Sequence, residues 1–190
     1  LRGQDTSIGD GIATLTNQGT GPLARSAIFQ AGTSGQATDI SLLAAVSSNT
    51  ISKVTITLPA AFGTPASGNI SLSGAGGTSA SFVISGQDVE ITGAAVTTTD
   101  PLVVSFTNLT SPIADIATDA GSFPFLVATS GGAGDPGAIA SSPTFTVPVP
   151  ISALRAVDSN GVPVSQNKAV AVEGVATHGN FNTAQTSTFI

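Results

Sequence analysis

The chain has 190 residues, 41% of them hydrophobic and only 8% charged, with a formal net charge of −6. It contains no Cys, Met, Trp or Tyr, which excludes disulfide stapling and thiol catalysis and leaves nine Phe to supply all aromatic packing. The five basic residues, Arg2, Arg25, Lys53, Arg155 and Lys168, are scattered and build no phosphate-tracking stripe, so nucleic acid is not an expected partner; nor does any run reach the roughly 18 apolar residues that span a bilayer, so membrane insertion is not expected either.

Short runs of β type recur from the start, separated by Gly, Pro, Asn and Ser, and no segment holds a helical period. The pattern predicts strands over 11–16, 24–30, 38–46 and 52–58. Within the last of these, Val54, Ile56 and Leu58 alternate with Lys53, Thr55 and Thr57, which sets an apolar face against a polar one. Further strands are predicted over 70–73, 79–85, 88–92 and 102–108. Asp88-Val89-Glu90-Ile91-Thr92 turns Val89 and Ile91 inward, and Ser85-Gly86-Gln87 makes a tight hairpin connection before it. The stretch 113–120, flanked by Pro112 and Gly121, reads as a loop or a single turn. Strands over 123–129 and 143–149 follow. This spacing of short strands and turn signals predicts an all-β fold, an antiparallel β-sandwich over 1–149 with an incomplete β extension over 150–190.

Two stretches carry a resemblance beyond pattern: Val54-Thr55-Ile56-Thr57-Leu58-Pro59 with Phe62-Gly63-Thr64-Pro65, and Val83-Ile84-Ser85-Gly86-Gln87-Asp88-Val89-Glu90-Ile91-Thr92-Gly93. Together with Gly134-Asp135-Pro136 and Ser142-Pro143-Thr144-Phe145-Thr146-Val147, they resemble the Ig-like β-sandwich repeats of large bacterial surface and secreted proteins, over roughly 8–149. That resemblance implies a non-catalytic extracellular spacer or adhesion module. The tail, through Ile151-Ser152-Ala153-Leu154-Arg155-Ala156, Val172-Glu173-Gly174-Val175-Ala176-Thr177 and Thr188-Phe189-Ile190, is similar to the opening strands of an OB-type accessory barrel in secreted multidomain nucleases. An OB barrel needs five strands, and the tail supplies two or three.

Catalytic groups are sparse. His178 is the sole histidine, at the end of a strand running into a turn, where a solvated or interfacial imidazole is the expectation. With no second His and no Cys, a His-based metal site is excluded. Asp5 and Asp10 flank a Gly-rich start, and Asp115, Asp119 and Asp135 fall in or beside loops after Asn108. Oxygen ligands of this kind suit Ca2+, although the EF-hand spacing is missing and turn-capping accounts for the same residues, so no cofactor is the leading expectation. A carboxylate pair for sugar hydrolysis lacks the aromatic platform that Trp or Tyr would provide. Gly74-Ala75-Gly76-Gly77 and Gly131-Gly132-Ala133-Gly134 lack the following helix and Lys of a phosphate cradle and read as loop glycines. Asn69-Ile70-Ser71 and Asn108-Leu109-Thr110 match the N-glycosylation pattern.

Low charge with a mean hydropathy of +0.36 suits a surface covered by copies of the same chain or by partners. Richness in Ser, Thr, Gly and Ala suits an extracellular or cell-surface location. The chain opens on Leu1 rather than Met and closes in mid-strand at Thr188-Phe189-Ile190, so it reads either as a cut piece or as a chain that lends strands to a neighbour. The leading expectation is therefore a non-catalytic, self-assembling structural protein with no small-molecule substrate, joined into a filament or surface layer by β-strand addition. Val170, Val172, Val175, Phe189 and Ile190 are the expected donor residues at one end, and Ile8, Ile12 and Leu15 at the other. The alternatives are an accessory fragment of a larger secreted enzyme, such as an extracellular nuclease, and a Ca2+-dependent adhesion module.

Overall fold

Strict alternation over 53–58 places one face of a strand in the core, and the computed structural model realises it: Val54, Ile56 and Leu58 are buried while Lys53, Thr55 and Thr57 are half-exposed. The structure describes residues 8–9, 12–17, 29, 31–45, 47, 50–114, 121–131, 136–167 and 170–173. In chain order the strands are β1 (Ile8–Gly9), β2 (Ile12–Asn17), β3 (Gln36–Leu43), β4 (Ile51–Thr57), β5 (Ile70–Ser73), β6 (Ser81–Ser85) and β7 (Asp88–Val96). They continue as β8 (Leu102–Leu109), β9 (Ser122–Pro124), β10 (Leu126–Ser130), β11 (Gly137–Ile139), β12 (Thr144–Thr146), β13 (Val149–Pro150) and β14 (Val172–Glu173). One sheet has the order β1-β11-β10-β4-β7-β6 and the other β2-β3-β8-β5. Two short ribbons, β12-β9 and β13-β14, complete the set.

The pairing is antiparallel except for β1 with β11 and β13 with β14. The inward residues of both sheets, among them Ile40 and Leu42 on β3, Val104 and Phe106 on β8, Val54 and Ile56 on β4, and Val89 and Ile91 on β7, join in one apolar cluster. This is the all-β antiparallel sandwich the sequence pattern predicts, and no sheet among the described residues closes into a barrel.

Three of the departures from the expected strand bounds follow from how the strands pair. β7 runs on to Val96 because a bulge absorbs Gly93, whose φ of 72° suits glycine. The bulge shifts the phase of alternation, so that Ala94 and Val96 follow Val89 and Ile91 inward. The expected strand over 123–129 divides at Phe125: β9 pairs with β12, and β10 leaves to pair with β4. Likewise 143–149 divides into β12 and β13, and β11 was not anticipated at all. The expected strand over 24–30 lies outside the described residues except Phe29, which is buried.

Aromatic packing is concentrated at one place. Phe29, Phe62, Phe106, Phe123, Phe125 and Phe145 form a connected cluster of rings with centroid separations from 4.2 to 6.4 Å. The segment 151–155, which resembles an opening OB strand, is a 3-10 turn here. Ala153, Leu154, Val164 and Val170 pack back against the sandwich core.

Candidate assembly edge

Each sheet stops at a strand with only one partner. Among the described residues β6 ends the six-stranded sheet, opposite β1, and pairs only with β7; β5 ends the four-stranded sheet, opposite β2, and pairs only with β8. The crossover 74–80 carries the chain from one of these edges to the other. It fits because its glycines admit close backbone approach: Gly76 N donates to Pro101 O at 3.0 Å, and a Cβ on Gly74 would come within 2.3 Å of Pro101 O. Gly74-Ala75-Gly76-Gly77 thus forms a packed turn, with Gly76 and Gly77 buried.

β6 is Ser81-Phe82-Val83-Ile84-Ser85. The two-residue loop Gly86-Gln87 holds it to β7 in the register Ser85↔Asp88, Ile84↔Val89, Val83↔Glu90, Phe82↔Ile91 and Ser81↔Thr92. Gly86 takes φ 62° at the first loop position, as a two-residue hairpin loop demands. Phe82 and Ile84 point toward the core and are only half-buried, as is Leu72 on β5. Val83 faces outward and is 67% exposed.

Natural edge strands are commonly blunted by Lys, Pro, bulges or a covering segment. β6 contains neither Lys nor Pro, and its pairing with β7 is regular. Among the described residues no backbone hydrogen bond covers its outer side. The absence of charge extends well beyond the strand: from Val54 to Gln87 the sequence contains no Asp, Glu, Lys or Arg.

The terminal segments are placed differently. Ile8 pairs with Ala138 in β1, while Ile12 and Leu15 pair with Leu43 and Ile40 in β2. Val172 pairs with Val149 and is 39% exposed, and Val170 is half-buried against the core. β1 and β2 are thus the opposite edge strands of the two sheets, each with one partner among the described residues, and β14 pairs with β13. Val175, Phe189, Ile190, His178 and the candidate Ca2+ residues Asp115, Asp119 and Asp135 lie outside the described residues, as do Asp5 and Asp10. Among the described residues no group of three or more acidic or His side chains is placed to hold a metal ion.

Of the two glycosylation matches, Asn108 is exposed with φ 54°. Asn69 is half-buried, with its carbonyl oxygen accepting from Thr107 Oγ1 at 3.2 Å. Reasoning from the chain ends missed the β6 edge. The signal was in the sequence nonetheless, as an apolar strand in the middle of an uncharged stretch.

No family model matches the chain, and no curated protein matches it. Solved structures do match, among them one titled as the crystal structure of BslA, a bacterial hydrophobin. It is 15% identical, with a TM-score of 0.42, and the match covers 74% of this chain and 92% of that one. No helix among the described residues is long and apolar enough to cross a membrane.

Proposed function

We propose that this chain is a non-catalytic structural protein of the cell exterior that assembles with copies of itself by β-strand addition at its sheet edges. The observation that carries this reading is the β6 edge, an apolar strand paired only on its β7 side among the described residues, with an exposed Val83 and no Lys or Pro of its own. An added strand would satisfy the open backbone donors and acceptors, and its alternate side chains would cover Phe82 and Ile84, which the chain leaves half-exposed. The sparse charge of the whole chain supports the same reading, since a surface shared with copies needs less of its own solvation. Extracellular placement rests on the composition, rich in Ser, Thr, Gly and Ala with scarce Lys and Glu.

The test is self-association of the purified chain followed by light scattering over a wide concentration range, with negative-stain microscopy of the product. Concentration-dependent growth that Val83→Lys abolishes is the expected result. A chain that stays monomeric at every concentration would sink the reading.

A further inference from the structure

We infer that β6 pairs with β6 of a second copy, antiparallel, about a two-fold axis through Val83. The inference deepens the assembly reading above and rests on it: strand addition at the edge is taken from there, and the occupant of the edge is what is new.

The strand is close to a palindrome. When Ser81-Phe82-Val83-Ile84-Ser85 is laid antiparallel on itself and centred on Val83, Ser81 faces Ser85 of the copy, Phe82 faces Ile84, and Val83 faces Val83. Every opposed pair then matches in character. Phe82 and Ile84 point inward together in each copy, so the two Phe–Ile pairs continue the core face across the junction. Aromatic and β-branched residues are favourable cross-strand partners. Val83 and its copy meet on the outer face and remove each other's exposure.

Electrostatics selects a second copy over a charged partner. Two chains of net charge −6 repel, and they meet with least opposition where neither carries charge. The uncharged stretch from Val54 to Gln87 is that place. It offers nothing to draw a strongly basic or acidic strand. The nearest acid on the same row, Glu90, is one strand inward, so in the pair the two Glu90 rows are three strand spacings apart, about 14 Å. That exceeds the screening length of about 8 Å at physiological salt. A contact of this kind is isologous and closes on itself, and it would extend the six-stranded sheet into the sheet of the copy. A ribbon this short falls in the low class of specific interfaces, under about 1,200 Å2, so covalent trapping is the suitable readout.

The chain has no cysteine, so a single introduced thiol reports on its own contact alone. Opposed residues in an antiparallel pair have Cα atoms about 4.5–5.5 Å apart, within the span of a disulfide. Under mild oxidation, Val83→Cys is expected to form disulfide-linked dimer on the order of tenfold or more faster than Val157→Cys, an exposed control (57%) away from the edge. A mixture of Ser81→Cys and Ser85→Cys chains is expected to give the mixed dimer ahead of either homodimer, which fixes the direction and register. Equal trapping rates for Val83→Cys and Val157→Cys, or homodimers forming as fast as the mixed dimer, would overturn the inference. Light scattering of the unsubstituted chain separates the two levels. Association without Val83→Cys trapping removes this inference and leaves strand addition at another edge. The absence of any association removes both.

Discussion

Phe29 and Phe145 stack face to face, with ring centroids 4.9 Å apart and planes within 2° of parallel. Their backbones are tied as well, Phe29 N donating to Thr146 O at 2.9 Å. The pair fastens the segment before β3 to β12, and Phe125, 4.2 Å from Phe145, extends the stack to the junction of β9 and β10. Both residues of the pair are fully buried.

Phe145→Ala empties the middle of this cluster. Truncation of a buried Phe costs about 3–5 kcal/mol through lost transfer energy and the cavity left behind. For a chain of this size each kcal/mol lowers Tm by about 2–4 °C. Thermal and urea unfolding monitored by circular dichroism would measure it. A loss no greater than that of Val157→Ala, at an exposed site, would show that the rings do not organise the core.

Two glycines with positive φ are expected to respond differently to Ala. Gly86 has φ 62° and open space where a Cβ would stand, so Gly86→Ala carries only the left-handed backbone penalty of about 1–2 kcal/mol. Gly74 has φ 83°, and its Cβ would meet Pro101 O at 2.3 Å. Gly74→Ala must therefore displace backbone as well as adopt the unfavourable angle. Denaturant midpoints of the two variants side by side give the comparison; equal losses would mean that the crossover yields without cost.

The turn between β7 and β8 depends on one hydroxyl. Thr97 Oγ1 accepts from Asp100 N at 3.0 Å and from Thr99 N at 3.2 Å, and donates to Asp100 Oδ2 at 2.9 Å. Thr97→Ala is expected to lose about 1–2 kcal/mol of stability, while Thr97→Ser, which keeps the hydroxyl, retains most of it. Equilibrium unfolding of the pair would show whether the hydroxyl or the methyl matters.

Val83→Lys places a charge on the outer face of β6 without disturbing the core, so stability is expected to stay within about 0.5 kcal/mol. Association should fall sharply, because Lys on an edge strand discourages pairing. In the unsubstituted chain association should strengthen as salt rises, since screening reduces repulsion between copies of net charge −6. Sedimentation velocity at low and moderate ionic strength tests both statements. Association that weakens with salt would place charged contacts at the interface.

The sequence by itself determined the secondary structure type and much of the inward face. Period-two alternation is a local property of the backbone, so Val54, Ile56, Leu58, Val89 and Ile91 could be assigned to the core from their spacing alone, and the structure buries all five. The Ser85-Gly86-Gln87 connection was equally legible, because positive φ at a hairpin position selects glycine. What alternation leaves open is which strand lies beside which. Phe125 is one residue in an apparently continuous run, yet the chain changes partners there, from β12 to β4. The bulge at Gly93 carries β7 past an apparent stopping point for the same reason, since it answers to the partner strand β4. Edges are a property of strand order, and strand order is set by contacts distant in sequence. Attention to the chain ends pointed to Ile8, Ile12, Leu15 and Val172; the first three lie on β1 and β2, which are sheet edges paired on one side, and Val172 pairs with Val149. It took the tertiary arrangement to leave Ser81–Ser85, like Ile70–Ser73 on the other sheet, without a second neighbour among the described residues.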